Sequence, residues 1–479
     1  MKNRNPNSIW YRFLPLVLLS ALVLLLCGCV AEQPAISTTE PNDADELSRL
    51  NGIPLSRFTI VYSTADHDYS ERAARYIQTE IAERTGLQLP LAVDSEKPAS
   101  NYEIVVGETS REISGRLTAP ESCTQFSILA EDTNIALEGE YFVIAAAAYY
   151  FIETYIPADD YSAEIPTGIT VCDPIVDEVE NLIVMIGDGM GVNTTKLFDV
   201  NENNIAYGDG EDIFYGYYLP YHGYSRTDSL SGVTDSAAGG TALACGIKTI
   251  NYYVGQDQYH NPVQSLTELA GSLGKATAVM STEERTGATP GAFSAHADDR
   301  YAKNQIITSQ QELMDQYGTK IVCDYNHFKP KDVEEIRTTF DDMLHTLDDN
   351  ENGFFIMYEE AYTDKYGHQN NMVMAFHALV RFNQVIATAM EYAFYHPGTM
   401  VIITADHETG GLTASGDTYV YTTEEHTGVD VPVFVYGMGC EVFDEKTVEN
   451  VQIAQTLACF MGVYDFGDQT EWKPLINAP

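Results

Sequence analysis

Five short, almost wholly apolar runs limit what this chain can fold into: residues 181–186, 275–280, 353–358, 399–404 and 432–436. A strand that is apolar on both of its alternating faces must be covered on both. Helical patterns lie between these runs, notably over 332–347 and 372–393, so strand and helix alternate. The pattern predicts an α/β fold, a three-layer α/β/α sandwich around a mostly parallel sheet, spanning residues 180–479. Sheets of this kind collect ligands at the carboxyl ends of their strands.

Residues 51–175 read as a small, separate α/β domain of unknown role. Strand-like runs fall at 58–63, 102–107, 126–130 and 134–137, with helical periodicity over 69–84 and in an Ala-rich stretch over 141–155. No catalytic constellation is visible there, and His67 beside Asp66 reads as a surface pair. Further upstream, Lys2, Arg4 and Arg12 precede an apolar run over 13–26, the order of an export signal. Leu26 and Gly28 ahead of Cys29 resemble a bacterial lipobox. Residues 1–29 are therefore expected to be a lipoprotein signal peptide ending in a lipidated Cys29. Residues 30–50 then form a flexible tether, rich in Pro, Thr, Glu and Asp. The expected location is outside the cytoplasm, lipid-anchored to the bacterial membrane.

Of the eight encoded cysteines, the six beyond Cys29 contain no Cys-x-x-Cys, which argues against a zinc ribbon. Cys123 and Cys172 are candidates for a pair in an oxidising compartment. The formal net charge of −44 argues against nucleic acid as a partner. It is compatible with phosphate substrates if bound metal supplies positive charge locally.

Chemistry concentrates in five places. Residues 234–241 read Thr-Asp-Ser-Ala-Ala-Gly-Gly-Thr, with Ser236 where a loop gives way to a run able to start a helix. Backbone N–H groups at such a start favour an anion or alkoxide. Asp235 can accept from them or face a neighbouring cation, and an ordinary capping turn explains the octapeptide equally well in isolation. Run 181–186 leads into Gly187-Asp188-Gly189-Met190-Gly191. That is not the spacing of a dinucleotide loop, and the acid would repel a pyrophosphate; it suits a carboxylate offered to a metal. Asp364 and His368, four residues apart, share a helical face and can grip one cation. Asp406 and His407 leave run 399–404 side by side, so both reach one metal only if the chain turns; Gly410-Gly411 permits that. His426 comes just ahead of run 432–436.

Asp, His and His with an open position make a catalytic zinc sphere, as do Asp, Asp and His completed by a serine alkoxide. Two such spheres side by side can hold the attacking and leaving oxygens of a displacement. Asp188, Thr289 and Glu359 offer oxygens to a hard cation. His296, His345, His377 and His396 lie in helical stretches and read as structural, and Cys245 reads as core.

Six segments, in this order, resemble the alkaline phosphatase family: Gly187-Asp188-Gly189-Met190-Gly191, Thr234-Asp235-Ser236-Ala237-Ala238, Ala288-Thr289-Pro290, Asp364-Lys365, Thr404-Ala405-Asp406-His407 and Glu425-His426-Thr427-Gly428. The resemblance runs from Asn181 to the C-terminus. It implies hydrolysis of small phosphate monoesters through a covalent phosphoserine, with two Zn2+ and one Mg2+ as cofactors. It makes Ser236 the nucleophile. One zinc falls to Asp364, His368 and His426, the other to Asp188, Asp406 and His407. Asp188 also reaches a magnesium held by Thr289 and Glu359. Arg300 becomes the phosphate clamp, and Lys365 the lysine near the phosphate and the magnesium water shell.

The chain departs from the family pattern in two places. Gly287 stands where members often carry Asp or His beside the magnesium shell, and Glu360 follows Glu359 where a small residue is usual. Spacing to Asp364 favours Glu359 as the ligand. Simpler readings stay open for Thr289, which precedes Pro290 as an N-cap would, and for Arg300, which can answer a helix dipole. The intervals from Arg300 to Glu359 and from His407 to His426 are short, so a homodimer is an open partner reading without a large insertion to build it. A sulfatase would need Cys/Ser-x-Pro-x-Arg, and Ser236 is followed by Ala-Ala-Gly. The remaining alternatives are a phosphodiesterase on the same scaffold and a surface lipoprotein that binds without catalysis.

Overall fold

The computed structural model describes residues 48–64, 68–117, 124–156, 162–200, 213–323, 333–416 and 418–478. The signal peptide with Cys29, most of the expected tether, the Asp66–His67 pair and Cys123 lie outside these residues. Arg49–Leu50, expected in the tether, instead pairs with Ile53–Pro54 and Ser162–Ala163. Leu50 is fully buried there, which ends the tether before Arg49.

A strand order of Leu91–Val93, Thr59–Tyr62, Glu103–Val106, Asn134–Glu138, Phe126–Glu131 and Gly168–Cys172 builds a six-stranded sheet. Its helices, Tyr69–Thr85 and Val143–Tyr155, carry apolar faces inward; the first stops at Gly86. The larger sheet has eight strands: β1 Asn181–Gly187, β2 Tyr221–Arg226, β3 Ala276–Ser281, β4 Lys320–Cys323, β5 Phe354–Glu360, β6 Thr399–Thr404, β7 Val431–Tyr436 and β8 Thr447–Glu449. Their order is β4-β3-β5-β1-β6-β7-β2-β8, and β7 runs against both neighbours while every other pairing is parallel. The apolar runs thus become the strands the sequence predicts, covered on both faces.

The helices that matter for the site are α1 Ser236–Cys245, α2 Ala288–Ser294, α3 Tyr362–Gly367 and α4 Met372–Tyr395. Helix α4 is long and apolar enough by composition to cross a membrane, yet two-thirds of its apolar window is buried in protein, as in a core helix. It also meets the smaller sheet's helices. Arg72 Nε donates to Glu391 at 2.9 Å, and the rings of Tyr76 and Tyr395 stack with centroids 4.2 Å apart. One apolar cluster runs from Ile60 and Phe151 through Phe142 to Phe382 and Ile403, so the two sheets share a core layer.

Register sets the stage for chemistry. Ile186 of β1 lies opposite Glu359 of β5 and Thr404 of β6, and Ser281 of β3 lies opposite Glu359. The carboxyl ends of four neighbouring strands therefore finish level with one another.

Candidate active site

Asp188 leaves β1 at that edge, and its N–H donates to Glu360 O at 3.0 Å. The next residue, Gly189, has φ +68°, a left-handed conformation that costs other L-residues free energy. A side chain there would also meet Thr409 Oγ1 at 2.7 Å and the Asp364 α-carbon at 2.8 Å. Glycine is thus what lets α3 close onto the β1 loop.

Strand β5 continues through Glu360, two residues further than the pattern predicts. Neighbouring side chains on a strand face opposite ways, so the two glutamates separate. Glu360 pairs with Arg381 of α4, accepting from Nε at 2.6 Å and from Nη2. It also accepts from Thr282 Oγ1 at 3.2 Å and Tyr362 N at 3.0 Å, pinning the turn from β5 into α3. Glu359 points to the site: Oε2 accepts from Ser281 Oγ, while the buried Oε1 has no partner. Glu359, not Glu360, is therefore free to meet a cation.

Both members of the Arg381–Glu360 pair are almost wholly inaccessible. Arg381→Met is expected to lower stability by about 3–5 kcal/mol, because it strands a buried carboxylate. Denaturant unfolding measures this, and an unchanged midpoint would contradict the pinning role.

Six of the eight metal-type residues gather as two groups that adjoin where the rings of His407 and His426 stack, and the charge of Glu359 acts on Asp188. In the first, Asp364 Oδ1 lies 3.3 Å from His368 Nε2 and 3.4 Å from His426 Nε2, and the two ring nitrogens are 3.1 Å apart. In the second, His407 Nε2 lies 3.5 Å from Asp188 Oδ1 and 3.3 Å from Asp406 Oδ2. Within each group the ligand atoms lie within 4.8 Å of one another, a spacing that one ion can bridge. The bend that lets Asp406 and His407 act together comes at those residues, before the glycines expected to supply it; Asp406 Oδ1 accepts from His407 N at 3.0 Å and Gly189 N at 3.3 Å. Gly410 instead accepts and donates in the excursion that returns the chain to His426.

All three imidazoles turn Nε2 inward because Nδ1 has an oxygen partner outside. His426 Nδ1 faces Thr234 O at 2.9 Å, and His368 Nδ1 faces Glu424 O. For His407 the partner is Thr409 Oγ1 at 3.3 Å, whose own hydrogen goes to Asp364 Oδ1 at 2.5 Å. Thr409 thus ties the two groups together. A threonine carries no ligand signature, and sequence reasoning passes over it.

Ser236 opens α1, and its Oγ lies 3.1 Å from His407 Nε2. Asp235 does both things open to it: Oδ1 accepts from Ala238 N at 3.0 Å, capping the helix, and Oδ2 accepts from Arg300 Nη1 at 3.0 Å. Arg300 stands ahead of the helix Lys303–Tyr317, at the end whose dipole repels a cation, so the dipole reading fails for it. Thr289 sits inside α2, where the capping residue is Gly287; its Oγ1 is buried without a partner, so capping does not explain it either. Lys365 Nζ donates to Glu283 Oε2 at 2.6 Å, a carboxylate absent from the sequence reading.

Do these residues fit metal ions? Asp188 Oδ1, Asp406 Oδ2, Thr289 Oγ1 and Glu359 Oε1 are all buried without hydrogen-bond partners. Burial, then the charge of Asp406, pushes the Asp188 carboxyl well above its usual range. Burial, then Asp364, lifts Asp406 to about 7. Burial followed by the charge of His426 holds His407 neutral, with a lone pair to offer. Buried acids that repel one another, each with one oxygen left without a donor, are the signature of a site built for cations. The fit is good for nitrogen-plus-oxygen ligation in the two groups, while Asp188, Thr289 and Glu359 each keep a buried, unpartnered oxygen of the kind a hard cation takes.

Three of the histidines read as structural have partners elsewhere: His296 pairs with Glu268 and Gly255 O, His345 with Asp341 and His396 with Asp348. Cys245 is core, as expected.

The model of one family, described as alkaline phosphatase, matches residues 179–333 and 334–424. Alkaline phosphatase 4 of Bacillus subtilis is 30% identical over 332 residues, covering 57% of this chain and 71% of that protein. Alkaline phosphatase 3 of the same organism is 28% identical over 295 residues, covering 50% of this chain; the chain spans only 63% of its length. Among solved structures, the alkaline phosphatase of the Antarctic bacterium TAB5 aligns with a TM-score of 0.52 at 24% identity, over 60% of this chain and 99% of that one. The likeness to that structure is one of fold.

Proposed function

This chain belongs to the alkaline phosphatase family, and we propose that it hydrolyses phosphate monoesters through a phosphoserine formed on Ser236. One observation carries the reading: two three-ligand groups adjoin, the rings of His407 and His426 stacking with centroids 3.6 Å apart, and His407 meets a single buried hydroxyl. Two zinc ions on those groups, and a magnesium on Asp188, Thr289 and Glu359, would supply positive charge that lowers a hydroxyl pKa and neutralises phosphate oxygens.

The chain's own residues do the remaining work. Ser236 Oγ forms a bond to phosphorus as the ester P–O bond breaks and the alcohol leaves. Water then cleaves the Ser236 O–P bond, restoring the hydroxyl and releasing inorganic phosphate. N–H groups at the start of α1 face the same anion. Asp235 holds Arg300 by Nη1 alone, which leaves other N–H groups of the planar fork for phosphate oxygens. Arg300→Ala is accordingly expected to cost about 10²–10³-fold in kcat/KM. Steady-state kinetics on p-nitrophenyl phosphate checks it, and a change within twofold would remove Arg300 from the clamp.

A monoesterase and a diesterase can share these ligands and differ in the room around the phosphate. Turnover of p-nitrophenyl phosphate well above that of its bis ester is expected; the reverse order would make this a diesterase. We place the action outside the cytoplasm, tethered through Cys29, on the strength of residues 1–29. Mass spectrometry of the mature N-terminus should find lipid on Cys29, and an intact Met1 would contradict that.

A further inference from the structure

Gly287 has φ −59° and ψ 159°, a conformation open to any residue, so the backbone does not require glycine there. What stands in the place of a side chain there is Glu283. A Cβ built on Gly287 would fall onto Glu283 Oε1 and Cδ, so this carboxylate fills the volume that a side chain at 287 would take. Its other oxygen, Oε2, accepts from Lys365 Nζ at 2.6 Å. The Glu283 N–H donates to Ser281 Oγ at 2.9 Å, and that hydroxyl donates in turn to Glu359 Oε2. Two residues beyond Gly287, Thr289 Oγ1 is buried and unpartnered, as are Glu359 Oε1 and Asp188 Oδ1. The negative charge of Glu283 is felt at both Asp188 and Glu359.

We propose that Glu283 is the acid that completes the oxygen-lined cation site of Asp188, Thr289 and Glu359, reaching it through the gap left by Gly287. The two positions form an exchange pair. Either a side chain at 287 or the longer one from 283 can occupy that volume, and this chain uses the second. The ligand is a divalent hard cation such as Mg2+, which keeps part of its water shell and takes carboxylate, hydroxyl and water oxygens. Glu283 faces that shell with Lys365 as its counter-charge. The inference rests on the proposed phosphatase site but concerns only its third cation.

Isothermal titration of the zinc-loaded full chain with MgCl2 tests it without reference to activity. Glu283→Gln, nearly the same shape, is expected to weaken magnesium by about 10–100-fold with zinc content unchanged. Gly287→Asp alone forces two carboxylates into one space and is expected to bind magnesium worse than the parent and to melt lower. Glu283→Ala with Gly287→Asp should recover much of the affinity, binding more tightly than Glu283→Ala alone. Parental affinity in Glu283→Gln, or a double variant no better than Glu283→Ala, would overturn the proposal. So would a zinc-loaded parent that takes up no magnesium. A parent that binds magnesium through Glu283 yet turns over no phosphate ester would sink the functional reading and leave this one standing.

Discussion

Ser236→Ala is expected to lower phosphate monoester turnover by roughly 10⁴–10⁶-fold while the protein stays folded and metal-loaded. Removing Oγ takes away the atom that bonds to phosphorus, and no neighbouring hydroxyl in the described site holds the same position against His407 Nε2. The helix does not depend on it: the capping bond of α1 comes from Asp235 to Ala238 N, and alanine is the best helix former. Zinc retention is expected too, because Asp188, Asp406 and His407 are untouched. Turnover, metal content and melting temperature should be measured on the same preparation. Equal phosphate release by mutant and parent would remove Ser236 as nucleophile, whereas a mutant that lost zinc would show the hydroxyl to be chiefly a ligand. Acid quenching of the parent during turnover should trap phosphate on the peptide carrying Ser236.

Stripping the metals is expected to abolish activity and to soften the fold at once. With no cation present, Asp188, Asp406 and Glu359 share a buried volume with unpartnered oxygens, and each is driven toward its protonated form. Occupancy stabilises the native state by mass action, about 4 kcal/mol for one site when free metal stands ~1,000-fold above its Kd. EDTA should therefore lower both turnover and melting temperature, and zinc with magnesium should restore both. An enzyme indifferent to the chelator would be incompatible with the two groups acting as metal cages.

Much of this candidate site was legible because carboxylates and imidazoles are the side chains that suit metal ions, and most of these follow runs read as strands. Asp188, Asp364, His368, Asp406 and His407 follow runs read as strands, and the register of β1 with β5 and β6 sets those three strand ends side by side; His426 returns on a separate short strand paired with Glu408–Thr409. Five of the eight strands in the larger sheet were legible for a related reason, being apolar on both faces; Tyr221–Arg226, Lys320–Cys323 and Thr447–Glu449 are polar or part-exposed and gave no such signal. What stayed hidden depends on contacts between distant parts of the chain. Spacing to Asp364 favoured Glu359 over Glu360, but why the two part, β5 running through Glu360 with Arg381 on the far face, was not readable. Thr409 became visible only when His407 and Asp364 were seen on either side of its hydroxyl. Gly287 did signal a missing side chain, but which residue fills the gap depended on the path of the loop carrying Glu283. Four of the smaller sheet's six strands were legible as strand-like runs; Leu91–Val93 and Gly168–Cys172, short or largely exposed, were not. Its seat against α4, through Arg72 with Glu391 and Tyr76 with Tyr395, rests on pairs more than three hundred residues apart that no local pattern encodes.

Anomalous diffraction at the zinc edge, from crystals of zinc-loaded full chain, tests the central claim most directly. Two peaks are expected, one bounded by Asp364, His368 and His426 and one by Asp188, Asp406 and His407, with Ser236 Oγ beside the second. Peaks elsewhere, or none in protein that chelation can inactivate, would contradict the account.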